Sequence, residues 1–180
     1  MSNDSLKEQI VALLQEHGFP VDFQENKMIL MSLPTEIYQD KAGDNAIPIL
    51  ITTTQKDQVI MVIVPFAYTL TEEVNVPMIQ EFLLIQNMCT PLIKFGFDPN
   101  DGEIQLRVDI MLEGTLNIHD FRFAFAALKS TLESVHPRLV EMFAHKPTFA
   151  AQEKEKAQDI INSILEPISE ETSDDDDFWL

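Results

Sequence analysis

The chain has 180 residues, 45% of them hydrophobic, enough for one ordinary domain with a buried core and an appendage. Its 30 acidic and 12 basic residues leave a formal net charge of −18, a balance that repels nucleic-acid phosphates and anionic membrane surfaces. A single cysteine, Cys89, excludes an intrachain disulfide, and Met1 to Glu8 lacks the basic region and apolar run of a secretory signal, so a reducing, cytoplasmic setting is expected. The longest apolar stretch, Val59 to Ala67, is too short to span a bilayer, so no membrane partner is expected either.

In chain order, Ser5 with Glu8 has the spacing of a capping box, and Leu6, Ile10, Leu13 and Leu14 follow at helical spacing. Gly18 stands where a helix C′ glycine belongs, and Pro20 prevents resumption. Met28 to Leu33 reads as a strand ended by Pro34, with a short strand before it around Val21 to Gln24. Ile47 to Thr54 and Val59 to Phe66 are rich in β-branched residues and read as a hairpin. Val59 to Val64 has no polar interruption, which predicts a central strand covered on both faces.

Asn75 caps a second helix that tolerates Pro77 in its first turn. From Met78 to Met88 that helix is apolar round much of its circumference, more than a one-sided contact needs, so it is either sandwiched within the domain or shared with a second subunit. Leu92 to Phe97, the turn Asp98-Pro-Asn-Asp-Gly102 and Glu103 to Leu112 form a second hairpin. Its second strand alternates Ile104, Leu106, Val108 and Ile110 with polar neighbours, the pattern of an antiparallel sheet with one wet face. Met111 falls on the polar side and marks a candidate contact patch. Asn117 caps a third helix with the stripe Phe121, Phe125, Leu128, Leu132 and Val135, and Pro137 predicts a kink or restart at Arg138.

Beyond Lys146 the character changes. Residues 147–168 contain an amphipathic helix with Ala157, Ile160, Ile161 and Ile164 on one face, and 169–180 form a flexible acidic tail. The tail ends in Phe178, Trp179 and Leu180, an aromatic tip that resembles the C-terminal tips of bacterial single-stranded-DNA-binding proteins and is a candidate partner-binding element. The folded domain is expected over residues 1–146.

Signals for chemistry are weak. His17, His119, His136 and His145 have no neighbour at ligand spacing, and no paired-cysteine motif occurs, so neither metal nor cofactor is expected. Five glycines include no phosphate loop, and the Asp98 to Gly102 segment lacks the length and final glutamate of a calcium loop. Cys89 is expected as a buried packing residue. A catalytic or receptor role would need a polar pocket holding His17, His119 or Cys89.

The stretch Phe82-Leu-Leu-Ile-Gln-Asn-Met, with Leu92-Ile-Lys-Phe-Gly-Phe-Asp and Gly102-Glu-Ile-Gln-Leu-Arg-Val-Asp, resembles the type III secretion chaperone-like fold in its YbjN-like (sensory transduction regulator) branch. The resemblance covers about residues 5–145 and extends to cyanobacterial proteins of that fold. It implies an α+β fold, an antiparallel sheet with helices packed on it in the order α-β-β-β-α-β-β-α. It further implies a small acidic homodimer that holds partner chains against apolar patches and is not an enzyme. Met78, Phe82 and Ile85 are then dimer-interface candidates, and the partner protein has no identity legible here. A regulator acting through its acidic tail is the first alternative.

Overall fold

The computed structural model describes residues 3–25, 28–40, 42–54, 58–71, 74–112 and 114–144. The chain divides into two units, Met1–Lys146 and Pro147–Leu180. The expected helix over 147–168 and the acidic tail lie outside the described residues.

The first helix, α1 (Asn3–Glu16), starts two residues before Ser5, so Ser5 sits inside it rather than at its cap. Asn3, Asp4 and Ser5 all have cap chemistry, and local sequence does not choose among them. The helix end follows its glycine. Gly18 takes φ +80°, its N–H bonds the Gln15 carbonyl, and the Phe19 N–H reaches back to Leu14 at 3.0 Å. That paired closure satisfies carbonyls the helix leaves open. Phe19 is thereby turned onto Phe125 of the last helix, ring centres 5.1 Å apart.

The sheet has six antiparallel strands in the order β1-β2-β3-β4-β6-β5. They are β1 (Phe23–Glu25), β2 (Met28–Pro34), β3 (Ala46–Thr53), β4 (Val59–Thr69), β5 (Ile93–Phe97) and β6 (Glu103–Met111). The helices α2 (Val76–Cys89) and α3 (Ile118–Ala144) complete the order, which is the expected α-β-β-β-α-β-β-α preceded in its sheet by β1, the short strand expected around Val21 to Gln24. Since β4 and β5 both run antiparallel to β6, they run parallel to each other, and α2 is the crossover between them.

Period-two burial assigns the faces. Ile29, Met31 and Leu33 of β2, Ile47, Ile49 and Ile51 of β3, and Ile60, Val62 and Val64 of β4 all point into the core. Ile104, Leu106 and Val108 of β6 continue the same layer. The helices close that side with Leu6, Ile10 and Leu14, then Ile79 and Leu83, then the expected α3 stripe together with Leu139 and Met142. α3 runs through Pro137 without a restart. The proline removes one N–H from the ladder, but Val135, Leu139 and Met142 on either side are buried, and that packing outweighs one lost bond.

The β5 edge is sealed by a side chain. Asn87, in the last turn of α2, accepts the Phe95 N–H at 2.7 Å and donates to the Phe95 carbonyl at 3.0 Å, doing what a neighbouring strand's backbone would do. Thr90 closes the same helix end through Gln86, and Lys94 Nζ donates to the Asn87 carbonyl at 3.0 Å, a cation at the negative end of the helix dipole. Replacing Asn87 by Ala is expected to destabilise the fold by about 1–3 kcal/mol and to raise self-association, measured by urea unfolding and by light scattering at increasing concentration.

The turn before β6 also has a steric requirement. Gly102 takes φ +74°, and a Cβ there would stand 2.5 Å from the Leu70 carbonyl oxygen. Gly102→Ala is therefore expected to cost roughly 2 kcal/mol or more. Gly43→Ala, at φ +86° with open space around it, carries the backbone strain alone and is expected to cost less. Equal losses in urea unfolding would remove the steric part of this account.

Candidate interaction surface

α2 turns Ile79 and Leu83 into the core and leaves an apolar strip outside. Leu84 is 65% exposed, Ile85 50% and Met88 86%, and Leu92 extends the strip past the helix end. Among the expected interface residues, Ile85 stands on this outer face, whereas Met78 and Phe82 are half-buried along its inner border, packed against the core. Cys89 is exposed, not buried as expected. It is the last residue of α2, one position beyond the exposed Met88.

A second apolar area lies on the sheet face turned away from the core. Leu30, Leu50 and Ile63 stand in register across β2, β3 and β4, half-buried or exposed, and the same rung continues into Arg107 and Lys94. On the next rungs Met61 faces Asp109 and Val59 faces Met111, which is 64% exposed. The face is thus apolar over β2 to β4 and polar over β6 and β5, where Arg107 and Asp109 form an exposed ion pair that holds the guanidinium pKa up. The expectation that β4 is central holds, but among the described residues only its core face is covered; Val59, Met61 and Ile63 are half-buried.

One constellation was not anticipated. Tyr38, Tyr68 and His136 converge from the loop after β2, from β4 and from α3. Tyr38 donates to the Ala67 carbonyl at 3.0 Å and packs edge-on to His136 at 5.2 Å. Tyr68 bonds His136 Nδ1 at 2.9 Å and stacks on both His136 and Phe143. Burial pushes the Tyr38 phenol up to about 12, with Asp40 adding to it, and moves Tyr68 further in the same direction. Burial also lowers the His136 pKa, which favours the neutral imidazole in its hydrogen bond with the Tyr68 hydroxyl. The weak signal in sequence was a lone histidine, His136, flanked by core positions Val135 and Leu139. His17 instead bonds the Leu13 carbonyl at its helix end, and His119 and Cys89 are exposed.

No family model matches the chain, and no curated protein matches it. Among solved structures, the crystal structure of E. coli YbjN, described as a candidate transcription regulator, aligns at a TM-score of 0.54 with 10% sequence identity. The alignment covers 73% of this chain and 92% of that one. The chain has the YbjN-like fold. At that identity the likeness concerns architecture alone. It includes the chaperone-like order of an α+β sheet with helices on one side. No described helix is long and apolar enough to cross a membrane.

The His136 shift has a signed consequence. Its folded pKa lies below the ordinary value near 6.5, so between those two values the unfolded chain binds a proton that the native state does not. Stability from this group is complete above about pH 6.5 and is lost as pH falls through that window. His136→Gln is expected to flatten the pH dependence there relative to wild type. Urea unfolding of both proteins at pH 7.5 and 5.5 measures it, and parallel slopes would contradict the neutral-imidazole assignment.

Proposed function

We propose that the chain is a non-catalytic protein-binding module, chaperone-like or adaptor in character, that works as a homodimer in the cytoplasm. The observation that carries this reading is the outer strip of α2. Leu84, Ile85 and Met88 lie on consecutive turns of one helix, and a second copy related by a two-fold axis would cover them with the same residues. Met78 and Phe82 would form the border of that contact. Dimerisation by strand pairing at β5 is disfavoured, because Asn87 already occupies the backbone groups of Phe95.

The open sheet face would then hold the partner, an apolar segment lying over Leu30, Leu50 and Ile63 with Met111 at its end. A regulatory role like that ascribed to YbjN would act here through protein contacts, since a chain of net charge −18 is repelled by nucleic-acid phosphates. The acidic tail favours a second reading, in which Phe178, Trp179 and Leu180 enter a partner's pocket beside a basic rim. Truncation after Pro167 separates the two: a partner retained by the truncated protein supports the body, and a partner lost with unchanged mass supports the tail.

Light scattering is the direct test of the dimer. The wild type is expected at twice the 20.5 kDa chain mass, and Leu84→Glu with Met88→Glu at the monomer mass with unchanged circular dichroism. A wild type that stays monomeric at high concentration would refute the dimer.

A further inference from the structure

Between the end of β4 and the C-terminal half of α3 lies an open cleft of about 350 Å³. Its walls include Tyr68, Thr69, Phe143, His136, Val140 and Asp40. That volume is at the small end of the range of small-molecule sites.

Local features of the chain converge on this cleft. β4 takes four steps from Val64 to Tyr68 where β6 takes two from Leu106 to Ile104, so two extra residues are looped into the strand. Phe66, within that bulge, has φ +47°, a conformation unfavourable to a side chain of its size, and its N–H is held by Glu103 at 2.9 Å. In a regular strand Phe66 would stand opposite Ile104; the bulge delivers Tyr68 there instead, against His136. Thr69, the next residue, has a buried Oγ1 with no hydrogen-bond partner among the described residues. Strain, an orphaned hydroxyl and a stacked aromatic wall therefore adjoin one cavity. The charge pattern is equally one-sided. Among the described residues Asp40 is the charged side chain of the wall and no lysine or arginine lines it, and burial lowers the His136 pKa.

We propose that this cleft is a binding site for a small, flat, non-anionic molecule, a neutral or cationic aromatic compound of one or two rings. The ring would lie against Tyr68 and Phe143, and a cationic group would face Asp40 and the aromatic faces. This does not rest on the dimer, and either stands if the other fails.

The test uses the full chain and three near-isosteric probes, phenethylamine, phenylacetamide and phenylacetate, followed by NMR of the aromatic rings. Phenethylamine and phenylacetamide are expected to shift the Tyr68, His136 and Phe143 signals saturably with Kd of about 1 mM. Phenylacetate is expected to bind at least about tenfold more weakly, from repulsion by Asp40. Val140→Trp, a rim substitution at an exposed position, is expected to abolish the shifts. Asp40→Asn keeps the oxygen that accepts the Ala42 and Asp44 N–H groups and is expected to weaken phenethylamine about fivefold while leaving phenylacetamide unchanged. No saturable shift with either non-anionic probe, equal binding of phenylacetate, or shifts that survive in a folded Val140→Trp protein would each overturn the proposal.

Discussion

The placement of β6 between β4 and β5 is the constraint on which the remaining architecture depends. Two strands joined through α2 run parallel but do not touch; each finds its hydrogen bonds on β6, a strand made later in the chain. α2 must therefore carry the chain across a gap that is filled only when the second hairpin closes. Its inner residues Ile79 and Leu83 enter the core, and its last turn reaches the sheet edge, where Asn87 takes the two backbone groups of Phe95 that face outward. Long-range pairing of this kind brings a loop-closure cost before any contact is gained. The β4–β6 ladder offsets it with a run of apolar residues on the core side, the buried Ile60, Val62 and Val64 against the half-buried Ile110 and the buried Val108 and Leu106.

Because every helix of the described domain packs on the same side, the sheet has two unlike faces. The core face is filled by branched side chains from all three helices and the main strands. The other face carries Leu30, Leu50, Met61 and Ile63 with no described element over them, next to a polar half built on Arg107, Asp109 and Lys94. Apolar residues at outward strand positions are unusual on a one-sided antiparallel sheet, where polar alternation is the stable arrangement in water. The outer strip of α2 presents the same anomaly on a helix. These two surfaces and the aromatic cleft lie on different parts of the domain, so self-association, partner capture and small-molecule binding make separable demands on it.

Much of the fold was legible residue by residue. Alternation in Glu103 to Met111, the glycine after Asp98 and the stripe from Phe121 to Val135 are local patterns, and the structure reproduces each. The departures have local causes too. Ser5 was one of three adjacent cap residues, Pro137 was overridden by buried neighbours, and Cys89 is exposed at the last position of α2. The all-round apolar character of α2 was visible as composition, but which of its side chains stay outside depended on where β5 and α3 came to rest.

The amino-acid sequence by itself determined the element types, the two hairpins and the face that β6 buries, because these follow from period and turn chemistry within a few residues. It also set the formal net charge of −18. Only the tertiary structure decided the insertion of β6, the sealing of the β5 edge by Asn87, and the meeting of Tyr38, Tyr68 and His136. The last pair is 68 positions apart in the chain and 2.9 Å apart in space. No local pattern encodes such a contact, since it exists only after the bulge in β4 and the length of α3 have brought the two side chains to the same end of the sheet.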